Sequence, residues 1–396
     1  LSGDHGAGQV IERGTIIIEG QRIIAIGPAD EIDIPPDALI VDASGKTIMP
    51  GLLDTHYHRI GGGSGPASGL SAFKFPYPDF EDTSAIAYGI TSAWEPAGPA
   101  SDGSPATADL QAAGRIAGPR WSHSAAGGVG YPYELLTSYN AALAAVTHHK
   151  ALGVVTLKEY EAPTRKQRQW IVAAAHEIGL GAISHLDNVD GTMTRVVDGY
   201  TGGDHAYLPT PLYRDVQELL RQTGYIWTPN IVISAGTLGN DQDNVDAFWR
   251  AAATTRPGEI AKHETITGRE VEISAPGASY GLHRTSRVAK TAADAAKNGV
   301  NIGVSAHNMP GSNLHREMWE LAEGGMAIGD VLRATTIGNA EKLGLQEEVG
   351  SLEVGKLADF LILDENPLED IINTLSLKYT VQGGVVYDSG TAERVD

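Results

Sequence analysis

The chain is 396 residues long, carries 29 basic against 49 acidic side chains for a formal charge of −20, and contains no cysteine. That length fits one large barrel with an accessory layer or two domains, and the acidic balance, with no Lys/Arg-rich run, argues against nucleic acid or an anionic membrane as a partner. The missing cysteines remove disulfides, thiolate metal sites and cysteine nucleophiles together.

In chain order, "GTIIIEGQRIIAIGP" (14 to 28) alternates β-branched runs around Glu19-Gly20-Gln21 and reads as a hairpin. From residue 47, apolar runs that end in polar residues alternate with helical patterns: "TIMPGLLDTHYH", "GITSAWEP", "PRWSHSA", "GVVTLKEY", "GLGAISHL", "TGGDHAYL", "GYIWTPNIVI" and "GVNIGVSAH". Between them, "TPLYRDVQELLRQTG" places Leu212, Val216, Leu219 and Leu220 on one helical face, with Gly224 as the stop. Eight strands alternating with helices are the pattern of an α/β (β/α)8 TIM barrel, in which chemistry sits at the strand C-termini. The stretch 100 to 120 is ambiguous. The long connection from Ser234 to Tyr280 reads either as a lid or substrate loop or as an insertion without a role. At the end, "GKLADFLILDENP" and "YTVQGGVVYD" have the character of the first strands, so both chain ends belong to one small sheet.

The informative residues close the apolar runs. His56 and His58 stand at i and i+2, so in an extended chain both rings face the same way, and neutral imidazole is the commonest metal ligand. One H-x-H is weak evidence, but His185 and His205 close two later strands and would deliver further imidazoles to the same mouth. Lys158, ending "GVVTLK", is the odd member. An ammonium there suits a salt bridge or an electrophile, and a carbamate formed with carbon dioxide would instead offer two oxygens to bridge two metals.

"PGLLDTHYH", Lys158, His185, His205 and the segment "GNAEKLGLQEEVGSLEVGKLADFLILDENPLEDI" together resemble the amidohydrolase superfamily of metal-dependent hydrolases. The similarity is to its imidazolonepropionase-like and prolidase-like branch, including the amidohydrolase domains attached to TolB-type propellers, and covers nearly the whole chain. The C-terminal segment is its most specific part. The resemblance implies a barrel over 51–349 beside a composite β-sandwich built from 1–50 and 350–396. It implies a binuclear centre of two divalent metal ions, zinc first and manganese, iron or cobalt as alternatives. His56 and His58 would bind one ion, His185 and His205 the other, and carboxylated Lys158 would bridge them. Asp54 would orient the metal histidines, its other reading being a strand-end carboxylate.

One position departs from the family pattern. Strand 8 should end in an aspartate that binds metal and takes the proton from water, yet in "GVSAHNMPG", aligned on Pro310, Ala306 stands there. His307, one residue along, can replace it as catalytic base or as ligand, provided a bulge or turn reverses its facing; otherwise it caps the next helix. His123, Tyr160 and Tyr207 follow strands 3, 4 and 6 and are candidate substrate-binding residues, or packing residues.

The expected activity is hydrolysis of an amide, peptide or cyclic amide bond by metal-activated hydroxide. Alternatives are a lactonase or phosphotriesterase on the same site, a mononuclear enzyme with ordinary Lys158, and a non-catalytic binding or scaffold barrel that has lost its strand 8 aspartate. A small-molecule substrate is the expected partner, with a homo-oligomer possible. No apolar window reaches the ~18 residues of a spanning helix and the start shows no signal-peptide pattern, so the chain reads as soluble, periplasmic or cytoplasmic, with the compartment left open.

Overall fold

The computed structural model describes residues 10–58, 80–96, 109–111, 113–124, 133–160, 162, 164–186, 188–206, 208, 210–232, 279–307 and 311–395. Its strands are β1 (Gly14–Glu19), β2 (Arg22–Pro28), β3 (Thr47–Pro50), β4 (Leu52–Asp54), β5 (Ile90–Glu95), β6 (Arg120–His123), β7 (Thr156–Glu159), β8 (Gly181–His185), β9 (Gly202–Asp204), β10 (Ile226–Thr228), β11 (Asn301–Ile302), β12 (Phe360–Leu363), β13 (Leu377–Gln382) and β14 (Val385–Asp388).

The hairpin β1–β2 turns at Gly20, whose φ of 60° favours a residue without a Cβ. Strands from both chain ends form one antiparallel sheet in the order β14-β13-β12-β3. Ile16, Ile18 and Ile23 of the hairpin share an apolar cluster with Phe360, Ile362 and Val381 of that sheet. The run read as one strand from Thr47 to His58 is divided at Gly51. β3 joins the terminal sheet and β4 a parallel one, and a Cβ on Gly51 would lie 2.1 Å from Thr91 Oγ1. That close approach is what a glycine permits at the crossing.

All eight apolar runs contribute a strand, β4 to β11, and among the described residues these strands lie in two parallel sheets, β4-β5-β6 and β7-β8-β9-β10-β11. The helices Tyr139–Ala151, Arg165–Glu177 and Val189–Asp198 start where Ser138, Thr164 and Asn188 accept backbone N–H groups, so their ends are set by local capping chemistry. Helix Arg214–Thr223 stops at Gly224 in the left-handed conformation, with φ 70°, as its sequence foretold. Among the described residues no helix is long and apolar enough to cross a membrane.

Backbone and side-chain hydrogen bonds tie the sheets to each other. Between β6 and β7, Ser124 N donates to Glu95 O at 3.0 Å and Ser124 Oγ accepts from Lys158 N at 2.7 Å. Between the ends of β11 and β4, Tyr57 and His307 form a parallel bridge, with His58 N donating to His307 O at 3.1 Å. Below it Asn339 Nδ2 donates to Leu53 O at 2.7 Å and to Val304 O at 2.6 Å, while its Oδ1 accepts from Val304 N at 3.1 Å. Asn339 belongs to the C-terminal segment that carries the family resemblance and follows a π-helical turn, Ala334–Gly338.

Asn339→Ala would leave these buried backbone groups unsatisfied, at about 1–3 kcal/mol each. Urea unfolding should show a loss of several kcal/mol, and a loss below about 1 kcal/mol would remove this amide from the account of the seam. Glu317, buried on helix Ser312–Glu323, accepts from Ile231 N at 2.9 Å and Val232 N at 2.7 Å, yet burial pushes its carboxyl up from 4.5 to about 8. A carboxyl raised on folding is protonated more in the native than in the unfolded state. Stability should therefore fall as pH rises between 4.5 and about 8, by at most about 1.4 kcal/mol per pH unit from this group. Glu317→Gln should flatten the profile in that window, and an unchanged slope would refute the assignment.

Candidate metal centre

β4 ends at Asp54, the chain bends at Thr55 and His56, and Tyr57 then bridges to His307 on one side while its N–H donates to Trp94 O at 3.0 Å on the other. The Tyr57 ring packs edge-on against Trp121, with centroids 5.4 Å apart. His56 and His58 thereby take the opposite side together, and their Nε2 atoms approach to 3.1 Å.

The far ring nitrogens meet carboxylates: His58 Nδ1 is 2.9 Å from Glu95 Oε1, and His56 Nδ1 is 2.8 Å from Asp204 Oδ2, although off the line of the N–H bond. A carboxylate beside Nδ1 favours the tautomer protonated there, which turns the lone pair of each Nε2 toward the other ring. Two lone pairs facing each other at this distance repel unless a cation lies between them. Bonds of about 2.0–2.1 Å to a common zinc ion set neighbouring nitrogens about 3 Å apart, so the pair fits such an ion. Burial, and then Lys158, hold His56 well below the ordinary imidazole range. Burial, and then Lys158, also depress His205. Both rings are neutral, the form that ligates.

His307 supplies a third nitrogen. Its φ is 67°, a left-handed conformation uncommon outside glycine, and with this turn the ring joins His56 and His58 although it stands one residue past the position of the expected aspartate. The ring stacks on His56 at 4.4 Å and meets His58 at 4.8 Å between centroids. One nitrogen from each of His56, His58 and His307 falls within 4.8 Å of the others, a group able to hold a metal ion. Ala306 is buried, and its N–H donates at 3.1 Å to Asp54 Oδ2.

His205, with φ 89°, lies 5.1 Å from both His56 and His307, and His185 lies 4.3 Å from His205. All five expected histidines therefore share one cluster. Lys158 is fully buried beneath it, its Nζ on Asp204 Oδ2 and 5.4 Å from the Tyr160 ring. Burial brings the Lys158 amine down to about 8, against the pull of Asp204. Asp54 acts on backbone rather than on rings, since it accepts from His56 N at 3.0 Å and from Ala306 N. Burial raises it to about 7. His123 pairs in register with Glu95, and burial lowers its pKa. Tyr160 stacks on His185 at 5.6 Å, and Tyr207 lies outside the described residues, as do residues 234–278 of the long connection.

Three residues escaped the sequence reading. Glu95 closes β5 as an unremarkable strand-end acid. Asp204 is buried between His56, Lys158 and Lys342, whose Nζ lies 2.6 Å from Asp204 Oδ1. Burial works to raise Asp204, but the two ammonium groups hold it well below the carboxylate range. Only the position of Lys342 inside the C-terminal motif hinted at its importance.

The amidohydrolase family model matches residues 47–390. The imidazolonepropionase of Micrococcus luteus is 25% identical over 383 residues, covering 90% of this chain and 89% of that protein. A molinate hydrolase structure superposes with a TM-score of 0.70 at 17% identity, over 97% of this chain and 92% of that one. A Xaa-Pro dipeptidase structure with methionine bound in its active site gives 0.68 at 20% identity, over 95% of both chains. These structural likenesses imply a TIM barrel.

The lysine strand β7 rests on a second buried ion pair, Arg195 Nε to Glu159 Oε2 at 2.8 Å, and Glu159 Oε1 also accepts from Ala162 N at 2.6 Å. Arg195→Met would strand the carboxylate and should cost about 3–5 kcal/mol in chemical denaturation. A loss under 1 kcal/mol would show that this pair does not support β7.

Proposed function

Because the chain belongs to the amidohydrolase family, and so is a hydrolase acting on carbon–nitrogen bonds, we propose that it cleaves an amide, peptide or cyclic amide with the help of a divalent ion held by His56, His58 and His307. The convergence of these three imidazoles carries the reading. We place them in the mouth of a closed (β/α)8 barrel over 51–349, with the terminal strands of 1–50 and 350–396 as a β-sandwich beside it. The hydrogen-bonded ties at both seams and the likeness to solved hydrolases support that architecture.

A divalent ion, zinc in the first instance, supplies Lewis acidity toward a carbonyl oxygen and lowers the pKa of water from 15.7 toward about 7. The protein's own groups do the rest. Glu95 and Asp204 fix the outward nitrogens of His58 and His56, and the strand 8 turn brings His307 in as third ligand in place of the absent aspartate. His205 is kept neutral by burial and is poorly suited to accept a proton. With His307 engaged as a ligand, His185 is the imidazole left to take one. Tyr160, stacked on His185, and His123, beside Glu95, would line the substrate side.

The three-imidazole group accounts for one ion, and the gathering of His185 and His205 beside it makes the carbamate-bridged pair the second reading. The likeness to an imidazolonepropionase over 90% of the chain puts small cyclic amides first among substrates to try.

Elemental analysis of protein purified without chelator should give about one equivalent of divalent metal, falling several-fold in His307→Ala, with amide hydrolysis lost to chelator and restored by zinc. Two equivalents would return Lys158, His185 and His205 to the bridged arrangement. No uptake at all would sink the metal-dependent reading.

A further inference from the structure

The C-terminal motif that carries the resemblance sends a second lysine into the barrel interior, and nothing in the hydrolytic reading uses it. Lys342 stands three residues after Asn339 in the helix Asn339–Leu343, so it shares a face with Asn339, which grips the backbone at the seam between β4 and β11. Its Nζ is buried and saturated: 2.6 Å from Asp204 Oδ1, 2.6 Å from Thr228 Oγ1 and 3.3 Å from Thr55 Oγ1. Three acceptors on three different strands or strand ends leave this ammonium one position.

Its consequence is for Asp204. With Oδ1 held by Lys342, the carboxylate plane is fixed, and Oδ2 sits on Lys158 Nζ and 2.8 Å from His56 Nδ1, within reach of its charge though off the N–H line. A lone aspartate against Lys158 alone could rotate to pair with it by both oxygens and release the ring. The second lysine prevents that rotation. His56 is fully buried, so bulk solvent does not reach Nδ1 in place of Asp204.

We infer that Asp204 and Lys342 are positioning residues for the histidine cluster: Lys342 pins Asp204, and Asp204 holds His56 as the Nδ1-protonated tautomer with Nε2 free toward His58. This inference rests on the metal reading of the cluster, but its tautomer component stands on the protein alone. Removal of such partners of a metal-binding histidine typically weakens metal affinity 10–100-fold.

The test uses the full chain labelled with 15N in its histidine rings, together with cobalt(II) titration followed by its visible absorption. In the wild type, long-range 1H–15N spectra should show His56 protonated on Nδ1. In Asp204→Asn and Lys342→Met that pattern should be lost or mixed, and cobalt should bind 10–100-fold more weakly, whereas Lys342→Arg should recover much of the affinity. A merely structural lysine would change stability without moving the His56 nitrogen shifts. Should Lys342→Met fail to fold, Thr228→Val, which deletes one of its three acceptors, should give a smaller change in the same direction. Unchanged His56 shifts and cobalt affinity in the folded variants would overturn the inference while leaving the three-histidine centre standing. A wild type that binds no cobalt would overturn the metal reading, and the nitrogen spectra would then decide alone: His56 protonated on Nε2, or on Nδ1 regardless of residue 204, refutes the positioning role.

Discussion

Asp204 is the charge on which the interior depends. A carboxylate with no exposed surface carries a desolvation cost of several kcal/mol, and it is tolerated here because two lysines and an imidazole surround it. Those three partners come from strand β7, from the segment after β4 and from the helix Asn339–Leu343, so one anion links parts of the chain more than a hundred residues apart. Such an arrangement has little tolerance for partial occupancy. Each ammonium is itself buried, and each needs the same aspartate.

Around this hub the chemistry divides into two layers. Below, two ammonium groups share the single carboxylate of Asp204 and fill their remaining bonds with hydroxyls; above, His56 and His205 are kept neutral by burial and by the Lys158 ammonium. Neutral rings with lone pairs directed at one another suit a cation, and cationic rings would not. The same ammonium that keeps the rings neutral would repel an incoming ion, and Asp204 and Glu95 supply the compensating negative charge from the far side of His56 and His58.

The terminal segments have a larger part than their sheet suggests. The helix that follows the π-helical turn contributes Asn339 to the seam and Lys342 to the hub, one holding backbone and the other holding charge. This gives a physical reason for the specificity of the C-terminal motif. A segment that looks like a connector to the last strands is part of the scaffold under the histidines.

Much of this was legible in the sequence because it follows local rules. Strand period and helix caps depend on residues a few positions apart, which is why the eight parallel strands, the hairpin at Gly20 and the stop at Gly224 could be read directly, and why His56 and His58 were expected on one side of an extended chain. The division of "TIMPGLL" between two sheets was not legible, since it depends on Thr91 crowding Gly51 from another strand. Nor was the placement of His307, because a one-residue shift reverses a strand's facing and only the left-handed backbone there restores it. Residue type identified histidine as a ligand and lysine as an anomaly. Which carboxylate would meet that lysine, and that Lys342 would be the second to meet it, was decided by tertiary packing, since an ion pair spanning 138 residues leaves no periodic trace in the sequence.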